Sequence, residues 1–195
     1  MTIDYKKEVP LGPGLGSISG SKLEGLASFH GYLATGAFIG IQMSALGRRL
    51  LNIKEDERIH VVCETFNCLP DPFQYLSSCT IGNKGLIIEN KGKMAVTITK
   101  HTPPNEEAPG VRIVLDPEKS KNYPELHAWY MKTKKVRHED IVETLIKAGE
   151  NVYSYEYITV PVKDRVKKII AICKECHESY IRNLTNSDCC PDCVK

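Results

Sequence analysis

Two Cys-x-x-Cys pairs close this chain and fix more about its folding than any other feature. Cys173 and Cys176 form the first pair and Cys190 and Cys193 the second, with 13 residues between them. A segment of about 25 residues cannot bury enough apolar surface to fold alone. Two such pairs supply four thiolates, a closed tetrahedral shell for zinc, and metal binding then contributes the missing free energy. The spacing is close to that of zinc modules, and a closed shell leaves no position for substrate, so the site reads as structural. Cys189, beside Cys190, is the alternative fourth ligand. Disulfides are the competing use of these cysteines. They are rare in the cytoplasm, where the absence of an apolar run in Met1–Pro10 places the protein.

The rest of the chain must fold without that help, and its composition allows it. Hydrophobic residues make up 42% of 195 and charged residues 26%, ordinary values for a globular protein. The net charge of +2 points to no nucleic-acid partner. No apolar stretch approaches the ~20 residues that span a bilayer.

Periodicity and turn signals give the element order. Helices are expected at 22–30 and 35–51, a strand at 58–64, and a helix at 71–78 beginning Asp71-Pro72. Strands at 85–90 and 93–99 around Lys91-Gly92 read as a hairpin. A loop over 101–110, a strand at 111–116, helices at 124–133 and 138–148, and a strand at 153–160 follow. There is no steady βαβ rhythm. The fold class is therefore α+β: a mixed or antiparallel sheet with packed helices, plus the small C-terminal zinc finger. The expected division is a mobile arm over 1–20, a core over 21–161, and a basic linker with the finger over 162–195. A phosphate loop over Gly-rich residues 11–20 needs a strand before it, and Pro10 and Pro13 argue against one. Gly36, Gly40 and Ser44, four apart on one helix, invite the close approach of another backbone, from this chain or from a second copy of it.

Three further features sit at expected element boundaries: Phe29-His30-Gly31, Asn67-Cys68-x-x-Asp71 and Ser78-Cys79-Thr80. His30, Cys68 and Cys79 are ligands that suit a borderline-soft cation. Three ligands and an open position are the pattern of a catalytic metal. Asp71 is the candidate catalytic residue, as a general base or as the acceptor that orients His30. His60 and Cys63, at i and i+3 of a strand, point to opposite faces and read as structural.

The run FHGYLATGAFIGIQMSALGRRLL, followed by ETFNCLPDPFQYLSSCTIGNKGLIIENKGKMAVTI, resembles the E-subunit family of formylmethanofuran dehydrogenase. There the first segment reads FHGHxCPG, and the second resembles DxCxxDAIQ, GCTxGKGNL and a DYGKMAF-like strand. The matching residues include His30, Gly31, Cys68, Asp71, Gln74, Cys79, Thr80, Lys93 and Met94, within residues 28–98. The resemblance implies an α+β core, a homodimer, a His/Cys metal cleft, and a molybdenum or tungsten oxidoreductase as partner. Many members also carry a C-terminal zinc module. Tyr32 stands where the family has its second His, Ala34 where it has Cys, and Thr35 where it has Pro. The reading is therefore an accessory metalloprotein with one structural Zn2+ per chain, a second transition metal in the core cleft, and the finger as a docking element. The alternatives are an enzyme that activates water at His30/Cys68/Cys79 and a zinc-finger nucleic-acid binder using the basic run Lys163–Lys168. Five acidic residues, Asp164, Glu175, Glu178, Asp188 and Asp192, dilute the tail's charge.

Overall fold

A computed structural model describes residues 3–162, 167–185 and 187–194. Strands β1 (Glu8–Gly12) and β2 (Gly16–Ser19) form a hairpin, followed by α1 (Gly20–His30) and α2 (Thr35–Leu50). Then come β3 (Ile59–Cys63), α3 (Asp71–Ser77), β4 (Leu86–Ile88), β5 (Ala95–Lys100) and β6 (Glu107–Leu115). Helices α4 (Pro117–Ser120), α5 (Pro124–Tyr130) and α6 (His138–Ala148) precede β7 (Tyr153–Pro161), and β8 (Ile170–Ile172) and β9 (Ser179–Ile181) lie in the cysteine-rich tail. The central sheet has the order β4-β3-β5-β6-β7, antiparallel except for the parallel β3–β4 pair. The class is α+β, as expected. No helix among the described residues is long and apolar enough to cross a membrane.

Helix α2 is the hub. From Thr35 to Ser44 every residue is buried, the signature of a helix enclosed on all sides. Gly36 and Gly40 face the segment that opens α3: a Cβ on Gly40 would lie 2.8 Å from the Leu69 carbonyl oxygen and 2.9 Å from Pro72 Cγ. The neighbour that the glycine stripe admits is therefore this same chain. Gly47, on another side of the helix, admits Ile98 and Ile113 of the sheet. Buried Gln42 donates to the carbonyls of Leu11 and Leu145 at 2.7 and 2.8 Å. It accepts from the buried Tyr153 hydroxyl at 2.6 Å. One side chain thus ties α2 to the N-terminal hairpin, α6 and β7, with all its polar atoms satisfied.

Three expectations are corrected. Residues 8–19 are a hairpin and not a mobile arm, because Val9, Leu11, Leu15 and Ile18 are buried in the main core. Pro10 is tolerated because each strand of a lone pair has a free edge, and Gly12, Gly14 and Gly16 take positive φ through the turn. Strands β4 and β5 do not pair with each other. Strand β3 lies between them, pairing Val61 with both Leu86 and Ile98, so the turn at Gly92 joins strands that are not neighbours. Strand β6 begins at Glu107, inside the expected loop. Pro109 sits beyond the last β5 pair, Thr99–Gly110, where β6 has only β7 as a neighbour. In the expected basic linker, residues 163–166 lie outside the described residues, and Lys167 and Lys168 are exposed.

Candidate metal centre and core cleft

The tail builds its site around a short hairpin. The chain leaves β8 at Cys173, turns through Cys176 and returns as β9, with the Cys173 amide donating to the Glu178 carbonyl at 2.9 Å. His177 closes the turn at φ +63°, its amide donating to the Cys173 carbonyl at 3.1 Å. A second turn brings the Cys193 amide onto the Cys190 carbonyl at 3.0 Å. The ligand atoms of Cys173, Cys176, Cys190 and Cys193 all lie within 4.8 Å of one another. The Cys176 and Cys190 sulfurs are 3.7 Å apart, close to the ~3.8 Å edge of a tetrahedron with 2.3 Å metal–sulfur bonds. Cys189 stands outside this group.

Amides face the sulfurs: the Cys190 amide donates to Cys173 Sγ at 3.3 Å. The Cys173 thiol is lowered to about 6, first by the Cys176 amide and then by that of Cys190. Cys193, hydrogen-bonded to Cys190, is pushed well above the ordinary thiol range. Four sulfurs this close cannot all carry charge by themselves, and a divalent cation at their centre removes the conflict by displacing the remaining protons. The donor set suits a metal that prefers thiolates. Around it, Asp188 pairs with Lys174 at 2.5 Å and Arg182 at 2.7 Å, and the Tyr180 hydroxyl donates to the Ser187 carbonyl.

The core residues are distributed differently. His30 ends α1, and Gly31 follows it in the left-handed region at φ +102°, which aims the ring towards the start of α3. There Asp71 Oδ2 lies 2.5 Å from His30 Nδ1, and Gln74 donates to the other carboxylate oxygen at 3.4 Å. Cys68 is half-buried against α2, its Cβ 3.1 Å from where a Gly36 Cβ would stand. Cys79 is buried and donates to the carbonyls of Ile59 at 3.3 Å and Ser77 at 3.4 Å. Among the described residues, His30, Cys68 and Cys79 do not form a group with ligand atoms within 4.8 Å of one another. The structure brings His30 and Asp71 together, sets Cys68 in a cleft, and occupies the Cys79 thiol with backbone carbonyls. Burial raises the thiols of Cys68 and Cys79 and lifts Cys63 to about 12, so the core thiols hold their protons. His60, expected to be structural, meets His101 at 2.9 Å, Nε2 to Nδ1.

Sequence reasoning passed over His138. Its Nδ1 accepts from the Thr35 amide at 3.4 Å and lies 2.8 Å from the Thr35 hydroxyl. The Tyr32 ring lies between the two imidazoles, 5.2 Å from His30 and 5.3 Å from His138. The 103 residues that separate Thr35 from His138 hide this contact from any local motif. The departures Tyr32 and Thr35 from the family pattern are the signal that another residue fills this corner.

An α+β core with a separate four-cysteine module defines a metal-binding protein. The family described as "FmdE, Molybdenum formylmethanofuran dehydrogenase operon" matches residues 29–159, and the chain belongs to that family. The match runs from the end of α1 to β7, well past the motifs at residues 28–98. An FmdE-like protein of the tungsten formylmethanofuran dehydrogenase type, from Syntrophus aciditrophicus, has a similar structure, with a TM-score of 0.74 and 29% identity over 89% of this chain and 90% of that one. A "Probable S-adenosyl-L-methionine-binding protein" of Archaeoglobus fulgidus is 33% identical over 101 residues. That alignment spans 49% of this chain and 26% of the relative.

Proposed function

We propose that the chain is a cytoplasmic, homodimeric accessory metalloprotein. It holds one structural zinc ion on Cys173, Cys176, Cys190 and Cys193 and serves a molybdenum or tungsten oxidoreductase. The observation that carries the metal reading is the convergence of the four sulfurs. An all-thiolate tetrahedral shell favours zinc among common cytoplasmic cations. The docking role rests on the module's aliphatic surface, where Ile169, Ile170 and Ile172 are exposed. The oxidoreductase partner rests on family membership. The homodimer rests on family resemblance and on the prevalence of two-fold oligomers, since the glycine stripe of α2 is filled within the chain.

Metal analysis of purified protein tests the reading: about one zinc per chain is expected. About two metals per chain would instead support a second site, with His30, held by Asp71, as a candidate ligand in the core. Light scattering should give a particle of twice the 21.8 kDa chain mass; a monomer at micromolar concentration sinks the dimer. An enzymatic second reading rests on the His30–Asp71 contact, the arrangement of a general base held by a carboxylate. S-adenosylmethionine is not proposed as a ligand. Among the described residues, no carboxylate lines the core cleft to receive its sulfonium.

A further inference from the structure

A cleft of about 920 Å³ opens beside Cys68, between the N-terminal turn of α2, the loop after β3 and the segment that joins α5 to α6. Its size lies in the range of small-molecule sites, about 300–1,000 Å³. Lys132, Lys134, Lys135 and His138 line it, and no aspartate or glutamate does among the described residues. In a chain with 24 acidic residues and a net charge of only +2, such a one-sign lining is not the average surface. None of the three lysines makes an ion pair among the described residues. Of the two carboxylates that follow them in sequence, Glu139 lines a separate pocket with Tyr32, and Asp140 is held by Arg137 at 2.7 and 2.9 Å.

The opposite lining is apolar and aromatic. Trp129, Tyr130 and Val136 are half-buried, packed on the main core, and turn their remaining surface into the cleft with Met94. At the floor, His138 accepts the Thr35 amide proton through Nδ1, which leaves Nε2 as the protonated nitrogen and a hydrogen-bond donor. The first turn of α2 adds the positive end of its dipole. Donors and cations therefore meet a planar apolar wall, with no acceptor charge among them.

We propose that this cleft binds a phosphorylated aromatic small molecule of nucleotide size, with Lys132, Lys134 and Lys135 holding the phosphates and Trp129 beside the ring. The cleft shares no residue with the four-cysteine cluster, so the proposal stands apart from the metal reading and each can fail alone. Trp129 is the chain's single tryptophan, which makes the site directly observable.

The test titrates ATP into the full, zinc-loaded chain, following Trp129 fluorescence and calorimetric heat. A saturable change is expected, weakened by added salt. Replacing the exposed lysines together (Lys132→Gln, Lys134→Gln, Lys135→Gln) should weaken binding about tenfold or more, with the thermal melt unchanged. Adenosine and pyrophosphate, each carrying half of the recognised chemistry, should both bind more weakly than ATP. Saturating ATP should also slow alkylation of Cys68, the half-buried core thiol, read by mass spectrometry. No saturable signal at millimolar ATP overturns the proposal. So does unchanged affinity in the triple variant, equal affinity for pyrophosphate and ATP, or alkylation of Cys68 that ATP does not slow.

Discussion

The core and the C-terminal module solve the problem of stability in opposite ways. The core encloses Phe38, Ile39, Met43, Phe73, Ile98 and Leu145 completely, in one apolar cluster that reaches from Val9 to Tyr153. Among the described residues, the module's own buried cluster is Cys173, Tyr180 and Cys190. Two of those three are sulfurs of the candidate metal centre, and its strands are three residues each. Burial supports the first unit, and coordination must support the second. The lesson is that one chain can carry two independent stability terms, and either should fail while the other stands.

The largest test of that separation removes the metal. With Cys173→Ser and Cys176→Ser together, the module should lose its zinc and its hydrogen-exchange protection, a local loss on the order of 10 kcal/mol. The core's melting temperature should not move. A tightly bound zinc retained by that variant would refute the four-cysteine assignment.

The reverse experiment weakens the core and spares the module. Glu64 is buried at 4% exposure and takes a bidentate contact from Arg112, Nε to Oε1 at 2.7 Å and Nη2 to Oε2 at 3.0 Å. Arg112→Ala should cost about 3–5 kcal/mol by stranding that carboxylate, with zinc content unchanged. The Arg112 hydrogen bond holds the Glu64 carboxyl below its ordinary value of 4.5. A lowered carboxylate contributes stability that is present above its unfolded value and lost as pH falls through the folded one. The cost of Arg112→Ala in urea denaturation should therefore be full at pH 7 and shrink below about pH 4.

Smaller substitutions sharpen the account of α2. Gly40→Ala gains about 1 kcal/mol of helix propensity but drives a methyl group against the Leu69 carbonyl and Pro72. A net destabilisation of about 1–2 kcal/mol is expected by denaturant melt. A stabilised variant would mean that the α2–α3 contact yields freely. Tyr153→Phe leaves Gln42 Oε1 without its donor, for about 1 kcal/mol. The variant should also show faster amide exchange in the N-terminal hairpin that Gln42 anchors.

The elements that were legible in the sequence are those whose partners leave a local trace. Helix α2 announces itself by Phe38, Ile41, Ala45 and Leu46, α3 by Asp71-Pro72, and the metal centre by two close-spaced pairs. What the sequence hid is non-local. Nothing near Lys91-Gly92 reveals that β3 pairs with both flanking strands, because a parallel partner contributes no turn signal. Pro10 and Pro13 argue against a strand at this place, and only the β1–β2 pairing and the burial of Val9 and Leu11 in the main core reveal one. His30 and Asp71 were named together, but the Ile59 and Ser77 carbonyls that engage Cys79 could be seen only in three dimensions.

The β1–β2 hairpin also ties early-made residues to late-made ones. Gly12 and Gly149 meet so closely that a Cβ on Gly12 would lie 2.7 Å from Gly149 Cα, and the Glu150 amide donates to the Pro13 carbonyl at 3.0 Å. Strand β1 thus docks on a core segment made well after it in translation. At ~5–20 residues per second, the wait is roughly ten seconds. Through that interval Val9, Leu11, Leu15 and Ile18 lack the part of their burial site that α6 and the turn after it supply, and the nascent chain offers them to any holdase that recognises short aliphatic stretches. A hairpin that waits for a partner so far along the chain couples the protein's yield in the cell to chaperone supply.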